Sequence, residues 1–215
     1  KKNTVFVCLL ALASLLATSA KAQSCGNDSI YKLPYKNTYV KSTLAADNEF
    51  RTMRPTYMEI PTFETAKKIL PVPIWAGHEK EIEMYWKAWE IGVGNIRNPQ
   101  PGSGFVSPYI DTAYNGNIFM WDSAFILMFA RYGERFFPFQ KTLDNFYAKQ
   151  HPDGFICREI MANGADCFER YDPTSTGPNL LPWCEMIYYH QFGDTERLHK
   201  IFPALCGYYE WLRLN

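Results

Sequence analysis

The 215-residue sequence has no net charge, because its 22 basic side chains are balanced by 22 acidic ones without a long run of either sign. Nucleic acids and anionic membrane surfaces are bound through basic patches. We therefore expect no nucleic-acid partner and no electrostatic membrane contact. The sequence also lacks the Cys-x-x-Cys and His-Glu-x-x-His patterns of common zinc sites, and we expect neither a metal nor a cofactor.

The apolar run Val5–Leu16 is shorter than the roughly 20 residues that a transmembrane helix needs, so we expect no membrane span. It follows a basic start at residues 1–2 and precedes an Ala-x-Ala site at residues 20–22, which is the three-part pattern of a secretory signal peptide. We expect residues 1–22 to be removed and the protein to be periplasmic or extracellular. A lipid anchor at Cys25 is the alternative, although the preceding residues, Ala22-Gln23-Ser24, are a poor match to a lipoprotein cleavage site.

Five cysteines remain after the predicted signal peptide. Cys157 and Cys167 flank a glycine-containing loop, and export permits disulfides, so we expect these two to pair. Cys184 and Cys206 lie in apolar helical sequence and are expected to be core residues.

The chain is rich in aromatic residues, at 16%. A large aromatic core would explain this share, and so would an aromatic-lined groove. Because aromatic residues cluster near the predicted loops, the groove is favoured.

Apolar periodicity and stop signals predict an all-α fold after an irregular N-terminal segment, residues 23–60. Pro203 is expected to restart the last helix. Two long loops, residues 93–118 and 151–181, interrupt the helical sequence. The first loop contains Asp111, Asn115 and Asn117, which could hold calcium, but turn formation is the favoured role. The predicted helices are Thr62–Leu70, His78–Ile91, a central one within Phe119–Gly133, Phe139–Gln150, Pro182–Phe192 and one that Asp194 caps.

The central helix is apolar nearly all round, which predicts that it is buried. Asp122 or Ser123 is the predicted N-cap, and Gly133 is the predicted left-handed stop. At the start of this helix, Trp121 offers a flat aromatic face and Asp122 a carboxylate. That combination suits a sugar, whose C–H groups contact rings and whose hydroxyls donate to carboxylates.

A weak internal repeat relates two helical hairpins. Their starting residues, Trp121 and Trp183, are 62 positions apart. In each hairpin a Phe-Pro pair, at 137–138 or 202–203, precedes an aromatic residue by nine positions. Repeated hairpins with long loops at one end predict a cleft there.

Three motifs occur in order: residues 121–125 (Trp-Asp-Ser-Ala-Phe), residues 153–159 (Asp-Gly-Phe-Ile-Cys-Arg-Glu) and residues 177–183 (Gly-Pro-Asn-Leu-Leu-Pro-Trp). Together they resemble the six-hairpin α/α-toroid glycosidases, which include glycoside hydrolase family sixty-three, mannosylglycerate hydrolase-like enzymes and, more distantly, trehalases. The resemblance covers about residues 80–215. It implies that residues 61–215 form a partial α/α toroid that acts on an oligosaccharide or small glycoside.

The family chemistry is inverting hydrolysis of an α-linked sugar by a general acid and a general base. The resemblance implies that this chain is the N-terminal portion of the domain, with both catalytic residues expected beyond Asn215. Asp122, at a helix start, and Glu159, beside Arg158, are expected to stay ionised, which suits binding of sugar hydroxyls. The expected substrate-binding residues are Trp121, Asp122, Phe125, Asp153, Phe155, Arg158, Glu159, Asn179 and Trp183.

Simpler roles exist for several of these residues. Asp122 could be only a helix cap, Arg158 and Glu159 only a surface ion pair, and Trp183 only a core residue. At the level of function, the alternatives are an α-helical glycan-binding protein without hydrolysis, and a helical scaffold whose loops contact another protein.

Overall fold

The computed structural model describes residues 44–112, 114–170, 172 and 174–215. The predicted signal peptide, Cys25 and residues 23–43 lie outside the described residues. The fold is mostly helical, with about 50% helix and 5% strand, as the sequence predicted at that level. Among the described residues, no helix is both long and apolar enough to cross a membrane.

Each predicted helix is found, with ends displaced by a few residues. The described α-helices are α1 (Phe63–Lys67), α2 (Glu79–Gly94), α3 (Met120–Ala130), α4 (Thr142–Ala148), α5 (Leu181–Phe192) and α6 (Thr195–Leu214). Pro203 lies inside α6, so the expected restart of the last helix is wrong. The helix continues because Ile201 and Ala204 are buried on either side of the proline.

Local signals set both ends of α5 and the start of α6. Gly193 ends α5 in the left-handed region, at φ 71°. Asp194 then caps α6, because its carboxylate accepts the backbone N–H of Arg197 at 2.9 Å. Pro182 stands in the first turn of α5, where the missing backbone N–H costs no helical hydrogen bond.

Two short antiparallel strand pairs lie within the stretches predicted as loops. β1 (Ile96–Arg97) pairs with β2 (Tyr109–Ile110). β3 (Ile118–Phe119) pairs with β4 (Glu159–Ile160), with Phe119 opposite Glu159. Strands of two residues are too short to show an alternating pattern, so the sequence did not predict them.

The N-terminal segment contributes to the same core as the helices. Leu44–Asp47 and Glu49–Thr52 are 3-10 helices whose Ala45 and Phe50 are buried. A Cβ at Gly207 of α6 would lie 3.1 Å from Ala45, so the two backbones approach closely. Asn48 donates from Nδ2 to the backbone oxygen of Tyr147 at 2.8 Å.

Helix α3 is buried on one face only, although its sequence is apolar all round. Met120, Ala124 and Leu127 have no exposed surface, whereas Trp121 and Phe125 are 55% and 47% exposed. The expectation of a fully buried helix is therefore wrong. Large exposed aromatics on such a face mark binding surfaces.

Gly133 is not the left-handed stop that the sequence suggested. It lies in a 3-10 turn, Arg131–Gly133, that continues α3. A Cβ there would come within 2.6 Å of the Phe136 ring and 2.8 Å of Trp89. Glycine is needed at this position for space in the aromatic core.

A buried ionic cluster joins α4, α5 and α6. Arg197 of α6 donates to Oε1 of Glu185 at 2.7 Å and to Oδ1 of Asp144 at 2.9 Å. The Tyr147 hydroxyl donates to Oε1 of Glu185 at 3.0 Å. Burial raises the pKa of Asp144, and the charge of Arg197 opposes that rise. The guanidinium therefore compensates two carboxylates inside the fold.

Candidate functional site

A groove with a volume of about 400 Å³ opens at the start of α3. We call it the α3 groove. Its lining residues are Phe119, Trp121, Asp122, Arg158, Glu159, Thr174, Thr176, Gly177 and Pro178. Four of the nine predicted substrate-binding residues, Trp121, Asp122, Arg158 and Glu159, are thus brought together.

The β3–β4 pair brings the first two sequence motifs side by side. Phe119 lies opposite Glu159 across the pair, and the backbone N–H of Met120 donates to the oxygen of Arg158 at 2.8 Å. Since α3 begins at Met120, this pairing places Trp121 and Asp122 next to Arg158 and Glu159.

Hydrogen bonds to the next loop bring in the start of the third motif. The backbone N–H of Arg158 donates to the oxygen of Ser175 at 2.9 Å. The Thr176 hydroxyl donates to the backbone oxygen of Ile156 at 2.9 Å and also contacts the Tyr208 hydroxyl. Thr174 and residues 176–178 therefore form the far wall of the groove.

Glu159 and Arg158 make separate contacts in place of the surface ion pair considered above. Asn117 donates from Nδ2 to Oε1 of Glu159 at 2.7 Å. The Arg158 guanidinium lies over the Phe168 ring, 4.0 Å from its centroid. These contacts hold the carboxylate and the guanidinium at the groove while leaving both charges available to a ligand.

An aromatic row leads away from the groove across α3 and α5. The ring centroids of Trp121 and Phe125 are 5.5 Å apart, and those of Phe125 and Trp183 are 5.7 Å apart. Trp183 is 43% exposed, so its role as a simple core residue is wrong. The structure thus places Phe125 and Trp183 beside the groove, outside its lining.

Asp153 and Phe155 are core residues and do not line the α3 groove. Asp153 is 1% exposed; it contacts the buried Arg170 guanidinium and accepts the indole N–H of Trp211 at 3.0 Å. Phe155 is fully buried, with its ring centroid 4.9 Å from that of Trp211. Asp153 faces the core because Arg170 supplies a compensating charge there and Trp211 supplies a hydrogen-bond donor.

Asn179 also lies outside the lining of the α3 groove. It lines a separate apolar cavity of about 450 Å³ between α5 and α6, together with residues such as Met186 and Phe202. The chain turns at Pro178 and Asn179 before α5 begins, so the two residues face different cavities.

Asp111, and not Asp122, anchors the start of α3. Phe119 is the N-cap residue, and Asp122 lies within the first turn. The buried Asp111 carboxylate accepts the Phe119 backbone N–H at 3.0 Å and the Ser123 hydroxyl at 2.5 Å through Oδ2. Burial raises the pKa of Asp111 to about 7, although these hydrogen bonds oppose the rise.

The sequence did not predict this role of Asp111. Asp111, Asn115 and Asn117 were expected to form turns, and Asn115 does accept the Asn117 backbone N–H at 2.8 Å. Asp111 lies twelve residues before Ser123, and nothing local in the sequence connects them. Within the described ranges, no group of three or more His, Cys, Asp or Glu side chains could hold a metal ion.

The expected disulfide is not formed. Cys157 and Cys167 are both free thiols, and burial raises the pKa of each to about 12. Their sulfurs have separate neighbours: Sγ of Cys157 lies 4.0 Å from the backbone oxygen of Phe168, and Sγ of Cys167 lies 3.8 Å from Nδ2 of Asn117. Cys184 is buried, as expected, whereas Cys206 is only partly buried.

No protein-family model, curated protein or solved structure matches this chain.

Proposed function

We propose that the α3 groove binds the sugar of an α-linked glycoside, and that the protein is an exported, inverting glycosidase of the α/α-toroid type. The observation that supports this proposal is the exposed aromatic row leading to a groove that holds Asp122, Arg158 and Glu159. Its volume of about 400 Å³ is within the range of ordinary small-molecule sites.

Each group in the groove matches a different part of a sugar. The Trp121 face can cover the C–H groups of a pyranose ring. The carboxylates of Asp122 and Glu159 can accept hydroxyl protons, and these charge-assisted bonds are about twice as strong as neutral ones. The hydroxyls of Thr174 and Thr176 on the far wall can donate or accept.

Helix packing supports the toroid part of the proposal. Helices α3 and α5, which begin the two repeated hairpins, pack directly against each other. The Cys184 thiol of α5 lies 3.9 Å from the backbone oxygen of Ala124 in α3. Neighbouring first helices with the groove at their N-terminal ends are the arrangement expected for a ring of hairpins.

The first test is binding of methyl α-glycosides to the chain and to Trp121→Ala, measured by isothermal titration calorimetry. We expect affinity to fall roughly 10- to 100-fold, because the variant loses a large apolar contact surface. The control is Trp75→Ala, since Trp75 is 56% exposed and stacks on His78, away from the groove. Equal affinity in the two variants would contradict the proposed site.

A second test concerns the charge of Asp122. Because Asp122 is not the helix cap, Asp122→Asn should change thermal stability little. We expect the affinity for methyl α-glycosides to fall roughly 10- to 100-fold, because the variant loses a charge-assisted hydrogen bond of about 1.5–3 kcal/mol.

The exposed Asp47 supplies the matched control, Asp47→Asn, which should retain full affinity. Wild-type affinity in Asp122→Asn would remove Asp122 from the site.

A further inference from the structure

We infer that Asp111 is the positioning residue of the α3 groove and makes ligand binding there depend on pH. The inference rests on the proposed binding of a glycoside in the groove. It starts from a buried carboxylate that lies behind the groove without lining it.

Asp111 holds three donors from three parts of the chain. Oδ2 accepts the Phe119 backbone N–H of β3 and the Ser123 hydroxyl of α3, at 3.0 and 2.5 Å. Oδ1 accepts the Thr112 backbone N–H at 2.7 Å. One carboxylate therefore joins the loop after β2 to the junction between β3 and α3.

Two of these donors belong to the segment that forms the groove. Phe119 lines the groove and lies opposite Glu159 across the β3–β4 pair. Ser123 is fully buried in the first turn of α3, directly after Trp121 and Asp122. A change in the bonds of Asp111 therefore reaches the aromatic ring and both carboxylates that we propose contact the sugar.

The surroundings of Asp111 allow it to change its charge near neutral pH. Burial is the largest influence that raises its pKa to about 7, and the nearby carboxylate of Asp122 adds to the rise. Tyr109 of β2 also faces Asp111. Burial raises the pKa of Tyr109, although the charge of Arg97 in β1 opposes the rise, so the phenol stays neutral near pH 7. From α4, the uncharged Thr142 hydroxyl accepts the Ile110 backbone N–H at 3.1 Å.

The two protonation states hold the start of α3 differently. Above the pKa, Asp111 is acceptor-only, and its bonds to Phe119 and Ser123 are charge-assisted. Below the pKa, the carboxylic acid carries a proton, so one oxygen becomes a donor and the acceptor bonds weaken. We therefore expect the groove to be held in its binding geometry more firmly above pH 7 than below it.

The experiment follows the ¹⁵N-labelled indole signal of Trp121 between about pH 5 and pH 9, with the signal assigned by its loss in Trp121→Phe. We expect a transition near pH 7 in the wild-type chain and none in Asp111→Asn. The matched control is Glu134→Gln, because burial also raises the pKa of Glu134 to about 7 but this residue lies beyond the opposite end of α3. The transition should persist in that control.

Ser123→Ala provides a second variant that keeps Asp111 itself. The Ser123 hydrogen bond lowers the pKa of Asp111, so its loss should move the midpoint of the Trp121 transition to higher pH. A transition that persists in Asp111→Asn, or a midpoint that does not move in Ser123→Ala, would overturn the inference.

Titration with methyl α-glycosides separates this inference from the proposed function. In the wild-type chain we expect affinity about fivefold higher at pH 8 than at pH 6, with no such difference in Asp111→Asn. Binding with the same pH dependence in both proteins would overturn the inference alone. A Trp121 transition that depends on Asp111, without glycoside binding at any pH, would support positioning by Asp111 and contradict the proposed function.

Discussion

Replacing Asp153 by alanine should destabilise the fold by about 3–5 kcal/mol, as expected when one partner of a buried ion pair is removed. The variant loses the carboxylate that contacts the Arg170 guanidinium, and both side chains are nearly inaccessible, at 1% and 2% exposure. It also removes the acceptor of the Trp211 indole N–H, 3.0 Å away. Urea unfolding measured by circular dichroism gives the change in free energy directly.

The control for this prediction is Glu90→Ala, which breaks the exposed pair of Lys87 and Glu90 on α2. Exposed pairs contribute about 0–1 kcal/mol, so this variant should unfold near the wild-type urea midpoint. If Asp153→Ala were as stable as Glu90→Ala yet lost glycoside binding, Asp153 would be a ligand-binding residue, as its sequence motif first suggested.

Arg197→Met should cost a similar amount, about 3–5 kcal/mol at neutral pH. The guanidinium pairs with Glu185 at 2.7 Å and Asp144 at 2.9 Å, and both carboxylates are buried. Without it, the buried Asp144 carboxylate faces Glu185 with no compensating cation, so burial and repulsion should raise the pKa of Asp144 further.

The pH dependence of the Arg197→Met effect has a definite sign. A carboxyl whose folded-state pKa is raised above its unfolded value binds its proton more tightly in the fold, so stability is lost as pH rises through the folded-state pKa. The variant should therefore be less destabilised near pH 5 than near pH 8, relative to the wild-type chain. Arg213→Met, which breaks an exposed pair with Glu210, is the matched control and should show no measurable change at either pH. A destabilisation by Arg197→Met that is independent of pH would contradict this account of the cluster.

Local signals in the sequence predicted the elements that depend on neighbouring residues. The end of α5 at Gly193 and the cap of α6 at Asp194 follow from conformational freedom and from a side-chain acceptor, and both lie where the sequence places them.

The candidate site could be predicted only in part, because long-range pairing assembles it. The first two motifs supplied Trp121, Asp122, Arg158 and Glu159, but a pair of two-residue strands brings these residues together. The Asp153-Gly154 sequence does not show whether the Asp153 side chain faces the solvent or the core. Only the positions of Arg170 and Trp211 show that Asp153 faces inward.

The roles of Asp111 and Arg197 were not predictable for a related reason. Asp111 binds donors that lie eight and twelve residues further along the chain, and Arg197 reaches Asp144 across 53 residues. No local pattern distinguishes such residues from ordinary turn and surface charges. Asp111 and Arg197 acquire these roles because the fold brings them next to distant partners and shields them from water.

The most direct test of the central claim is chemical-shift mapping of the chain during titration with methyl α-glucoside and methyl α-mannoside. We predict saturable shifts for the indole N–H of Trp121 and the backbone amides of Asp122, Arg158 and Glu159, and unchanged signals for Trp75. Saturable shifts confined to the apolar cavity between α5 and α6, near Asn179 and Met186, would contradict the α3 groove as the sugar site. So would the absence of any saturable shift with either glycoside.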